Sequence, residues 1–250
     1  MKKCLPLSYL LVAMATPIAA EETPTPPALD QGQWVSIPGA DSEFKAIYTA
    51  SIAPKTHGAV VLIPDHHGHP DQPTVVGPLR TGMPTHGWST LAIPTPPTGQ
   101  PGGLLDIGTR RLQAAIDYLK QHKPGRIILV GHGLGATLSA AYLASQTNTQ
   151  VTGLVAISWY DPEGAQGKLT ATEAIAALSV PVYDIYGSRD WHAVQQGAPH
   201  RLTAARQANR RYRQKRIEGA DHDHTGLGPA LTQQIRGWLH ATLVKGNSTR

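Results

Sequence analysis

A chain of 250 residues with 40% hydrophobic content is long enough to bury a sizeable core and too ordinary in composition for a fibrous or disordered protein. Its net charge is +5 and its only cysteine is Cys4, which excludes an internal disulfide. The basic residues gather late, from Arg201 to Arg216, but no nucleic-acid-binding motif accompanies them. That segment reads as a solvated helix face running into an edge strand, so no nucleic-acid partner is expected.

Residues 1–20 have the layout of a secretory signal peptide. Lys2 and Lys3 precede an apolar run from Leu5 to Ala15, and small residues end at Ile18-Ala19-Ala20. The run is too short to span a bilayer, and no transmembrane segment is expected elsewhere. Cleavage near Ala20 implies export, with the periplasm as destination. It would remove Cys4 and lower the net charge by two. Residues 21–32 are polar and proline-rich and read as an extended, poorly ordered mature N-terminus. Residues 33–250 are expected to form a single domain.

Within that domain, Trp34–Ile37 and Glu43–Tyr48 read as a hairpin around Pro38, Gly39 and Asp41. The continuous apolar run Ala59–Ile63 is expected to be a strand covered on both faces. A short helix falls within Pro73–His86, and Ser89–Ile93 is the next strand. Asp106–Gln121 reads as a helix whose buried face carries Leu112, Ala115, Ile116 and Leu119. Arg126–Val130 is a strand and Ala136–Ser145 a helix. Val151–Ile157 is a strand, Ala171–Leu178 a short helix and Val182–Tyr186 a strand. Ala193–Asn209 is expected to be helical with an interruption at Pro199. A basic strand, Tyr212–Glu218, and a final helix, Pro229–Val244, complete the chain. This alternation argues for an α/β fold: a mostly parallel sheet with antiparallel N-terminal edge strands and helices on both faces.

In such sheets ligands sit beyond the carboxyl ends of the strands, so the turns there carry the functional question. Four of them are PDHHGHPD at 64–71, GHG at 131–133, GSRDWH at 187–192 and GADHDH at 219–224. Together they hold seven of the twelve histidines. In this order the turns resemble the α/β-hydrolase superfamily, whose catalytic residues follow in the chain order serine, acid, histidine. The resemblance covers residues 43–244. The segments AVVLIPDHHGHPDQP, HGWSTLAIPTP and VGHGLGA resemble a secreted bacterial family of unknown function related to these hydrolases. The resemblance implies Asp190 as the acid, His222 as the histidine, and an oxyanion-hole amide from the loop at 66–70.

The departure is at the nucleophile position, which holds Gly133. Glycine has no side chain and cannot form an acyl-enzyme. Ser139 lies within the following helix, and Ser158 and Ser188 follow other strands without an elbow pattern. Three readings remain open. In the first, the protein binds a small-molecule or envelope-derived ligand without cleaving it. His67, Gly68, His132, Leu134 and Trp191 would line that site, and a ligand anion would dock at the start of helix 136–145. In the second, His222 oriented by Asp190 activates water directly for ester or amide hydrolysis. In the third, zinc is held by some of His66, His67, His69, His132, His222 and His224, with Asp65, Asp71, Asp190, Asp221 and Asp223 as further donors. The spacing matches no standard zinc motif. Residues 158–170 stand where this fold inserts a cap and are too short for a lid domain.

Overall fold

The computed structural model describes residues 27–39, 42–97, 103–146, 149–162, 170–208 and 211–245. The signal peptide expected over 1–20 and the middle of the 158–170 insertion lie outside the described residues.

Among the described residues eight strands form one sheet: β1 (Gln33–Pro38), β2 (Glu43–Thr49), β3 (Gly58–Ile63), β4 (Trp88–Ala92), β5 (Ile127–His132), β6 (Val151–Ile157), β7 (Val182–Gly187) and β8 (Tyr212–Ile217). Their spatial order is β1-β2-β4-β3-β5-β6-β7-β8. β1 pairs antiparallel with β2, and β2 with β4. Every other pairing is parallel. Among the described residues six α-helices connect and cover the strands: α1 (Val76–Gly82), α2 (Leu104–Gln121), α3 (Leu134–Ser145), α4 (Ala171–Ala177), α5 (His192–Ala208) and α6 (Gly228–Leu239).

Side chains of a strand alternate between faces, and each face here has its own core. Ala59, Val61 and Ile63 of β3 join Ile127 and Leu129 of β5 beneath α2, α3 and α4. Val60, Leu62, Ile128 and Val130 face the other way, toward Val76 and Leu79 of α1 and Leu231 and Ile235 of α6. The buried face of α2 is the expected one, extended by Ile107 and Arg111. α4 begins in a capping box: Thr170 accepts the Glu173 amide, and the Glu173 carboxylate accepts the Thr170 amide.

The structure departs from the sequence-based expectation at two places. The helix expected to break at Pro199 runs through it as α5. Val194, Ala198, Arg201 and Ala205 form one buried stripe there, and that packing outweighs the lost backbone bond. Arg201 pairs with Asp184 of β7 at 2.8 Å, both buried, so α5 is tied to the sheet by charge as well as by apolar area. The second departure concerns the described part of the N-terminal segment, which is docked. Trp34 Nε1 donates to the Pro27 carbonyl at 2.9 Å, and Leu29 packs against the core.

Candidate functional site

Five turns at the carboxyl ends of parallel strands meet at one place. The turn between β5 and α3 is a sharp elbow. Gly133 stands in it at φ 51° and ψ −116°, a region costly for any residue with a Cβ. Gly131 and Gly135 serve close approach. A Cβ on Gly131 would lie 2.3 Å from the Gly135 backbone, and one on Gly135 2.3 Å from the Ile63 carbonyl.

The space beside Gly133 is filled by Asp65, from the loop after β3. A Cβ on Gly133 would lie 2.2 Å from Asp65 Oδ1. The Asp65 carboxylate thus occupies the volume into which a nucleophile at 133 would project. Asp65 Oδ1 accepts the Leu134 amide at 2.6 Å and the Tyr160 hydroxyl at 3.1 Å. Asp65 Oδ2 lies 3.0 Å from His222 Nε2. The Leu134 amide opens α3, where the helix dipole favours an anion.

On its other side His222 Nδ1 is 2.7 Å from Asp190 Oδ1. The imidazole is therefore held between two carboxylates and donates through both nitrogens. Burial lowers the His222 pKa, but the hydrogen bonds and charges of Asp190 and Asp65 outweigh it and raise the value to about 9. At neutral pH His222 is an imidazolium. Burial raises the Asp65 pKa, and the stronger pull of His222 and the Leu134 amide holds the carboxyl well below its usual range. Asp190 is lowered in the same sense, against burial, by His222, Ser158 and the Gly187 amide. Trp191 stacks flat on the His222 ring, with centroids 3.5 Å apart and planes 2° apart, and is 51% exposed.

Asp190 is anchored by a residue that sequence reasoning set aside. Ser158 follows β6 at φ 50° and is buried. Its hydroxyl donates to Asp190 Oδ2 at 2.6 Å, and His224 Nε2 lies 3.3 Å from Ser158 Oγ. Burial drives His224 down to about 4, helped by His132, so it is neutral at pH 7. His132 is likewise lowered by burial and by the charge on His222. Its Nε2 donates to the His222 carbonyl at 2.9 Å.

This geometry corrects several expectations. The Leu134 amide, expected to receive a ligand anion, is taken by Asp65. In the loop expected to supply an oxyanion-hole amide, the Gly68 amide donates to the Asp65 carbonyl and to Thr95 Oγ1 after β4. His132 is buried and bonded to backbone, not set on a pocket wall. His67 is exposed, in ring contact with His66. His222 Nε2, the atom expected to face an activated water, faces Asp65 Oδ2 at 3.0 Å.

The histidines expected to hold zinc do not meet as a ligand set. Both His222 nitrogens face carboxylates, His132 and His224 each engage only Nε2 in the buried network while their Nδ1 atoms are buried without a hydrogen-bond partner, and His69 contacts Trp34. Asp71 is taken by Arg80. Among the described residues no group of three or more histidines, cysteines or acids is arranged to hold a metal ion.

In the sequence Asp65 stands only as a further metal donor in a histidine-rich loop, with no sign that it would face Gly133. Tyr160 lies in a segment that reads as a short insertion. Ser158 had one available signal, its place directly after a buried parallel strand.

A family model described as a protein of unknown function (DUF3530) matches residues 21–106 and 105–241. The chain belongs to that family. No curated protein matches it by sequence. Solved structures share its fold at low identity. Est1E from Butyrivibrio proteoclasticus superposes with a TM-score of 0.71 at 14% identity, over 85% of this chain and 99% of that one. The Pyrococcus furiosus esterase Pf2001 gives 0.69 at 15% identity, over 84% and 92%. An esterase domain from a Rhodothermus marinus protein gives 0.64 at 16% identity, over 83% and 99%. The fold is that of the α/β hydrolases, with the two antiparallel N-terminal strands expected from sequence.

Proposed function

We propose that this family member is an exported α/β-hydrolase-fold protein that binds a ligand and does not cleave one. The observation that carries the reading is the Asp65 carboxylate beside Gly133. It fills the nucleophile's volume and takes the Leu134 amide that would stabilise a tetrahedral intermediate. The histidine of the former triad is then a structural cation. Its bond to Asp190 remains as a positioning contact from the ancestral site. Trp191, half exposed and stacked parallel on His222, gives an aromatic surface at the mouth of the site for a small-molecule or envelope-derived ligand. Export rests on the basic and apolar pattern of residues 1–20, with cleavage near Ala20 and residence in the periplasm.

The test is hydrolysis of a short-chain chromogenic ester panel by metal-free mature protein, with and without added zinc, beside His222→Ala. We expect no turnover above buffer in any arm. Turnover by the wild type that disappears in His222→Ala would overturn the reading and restore the water-activating alternative. Zinc dependence of that turnover would return the metal reading. Export is checked by fractionating cells that express the full chain, and a mature protein beginning at Glu21 in the periplasm is the expected result.

A further inference from the structure

The donors around Asp65 come from three separate segments. The Leu134 amide follows β5, the Tyr160 hydroxyl follows β6, and His222 Nε2 follows β8. The carboxylate that satisfies them comes from a fourth segment, after β3. The three donors are arranged for two oxygens: two hydrogen bonds on Oδ1 and a charged one on Oδ2. Leu134 and His222 are buried, so removing the carboxylate would leave desolvated donors without a partner. Gly133 supplies the room by lacking a Cβ.

We propose that this cluster is a carboxylate-binding site which Asp65 occupies from within the chain, and that the ligand entering the opened site bears a carboxylate. The inference rests on the non-cleaving reading above, since it makes the former oxyanion pocket a receptor. Charge selects the ligand class. A monocarboxylate restores the single negative charge that Asp65 supplies beside the His222 cation. A phosphate dianion would bury one charge too many. The tether would keep free acids out of the resting protein, since an attached carboxylate acts at an effective concentration of at least millimolar order. A productive ligand must therefore bring contacts of its own outside the donor cluster, and Trp191 is the exposed surface nearest to hand.

The test removes the occupant. Asp65→Ala is titrated with acetate and formate, and with chloride and phosphate at matched ionic strength. Thermal unfolding and the His222 side-chain nitrogen shifts are followed. Acetate should raise the melting temperature of Asp65→Ala by a few degrees with saturation on the order of 1–10 mM, as suits four heavy atoms. The same acetate should leave the wild type unmoved. Adding Tyr160→Phe to Asp65→Ala should weaken acetate binding at least about fivefold. If Asp65→Ala folds only with an anion present, the same comparison is read as the anion concentration at which it folds. An acetate effect equal to that of chloride, or one indifferent to Tyr160→Phe, would overturn the proposal. Ester turnover by the wild type would instead overturn the non-cleaving reading and leave the acetate result standing.

Discussion

Replacing Asp65 by asparagine removes one of the two carboxylates that hold the His222 proton while keeping the shape of the side chain. In the wild type His222 titrates at about 9 against an ordinary value of 6.5. At about 1.4 kcal/mol per tenfold, and allowing for screening, that difference is worth about 2–3 kcal/mol of stability. The sign follows from the direction of the shift. A histidine raised on folding contributes fully below pH 6.5, and the contribution is lost as pH rises through about 9. Wild-type stability should therefore fall across this window. His222 sits 3.0 Å from Asp65 and 2.7 Å from Asp190, so the two carboxylates carry the shift between them. Asp65→Asn should lower the His222 titration by roughly one pH unit or more and remove about half of the alkaline loss. The assay is side-chain nitrogen NMR of His222 against pH, paired with urea melts at pH 7 and pH 9.5. A wild-type His222 that titrates near 6.5, or an unchanged value in Asp65→Asn, would refute the clamped imidazolium.

Further outcomes follow from the same contacts. Gly133→Ser puts a Cβ against Asp65 Oδ1 at a positive φ, and should cost about 2–4 kcal/mol without creating esterase activity. Combining it with Asp65→Ala should recover at least about 1 kcal/mol relative to additivity in a urea-melt cycle. Arg201→Met leaves Asp184 buried beside Tyr212 and Gln214 without its cation, and should cost about 3–5 kcal/mol in the same assay. On the acid side, His224 is held at about 4 and His132 is also lowered, so both resist protonation in the fold. Stability present above pH 6.5 should be lost as pH falls toward 4, and His224→Gln should flatten part of that slope in thermal melts. Ser158→Ala should cost about 1–3 kcal/mol through the bond lost at Asp190, read by thermal unfolding.

The sequence by itself determined the architecture, because the fold is written in local periodicity. Five apolar residues in a row at 59–63 leave little but a strand with both faces covered, and the spacing of Leu112, Ala115, Ile116 and Leu119 leaves little but a helix on that sheet. Chain order then placed the turns containing Asp65, Gly133, Asp190 and His222 at one end. What those turns do to one another was decided only in three dimensions. Asp65 and His222 are 157 residues apart, and their bond depends on where two loops point after separate strands end. The same holds for Ser158 behind Asp190, 32 residues away. Histidines that looked alike in sequence were separated by burial and partners: His222 became a cation between carboxylates, while His132 and His224 were desolvated into neutrality. A glycine at 133 announced a missing side chain. The tertiary structure supplied the carboxylate that stands in its place, because charge, volume and hydrogen-bond demand are settled by neighbours in space and not by neighbours along the chain.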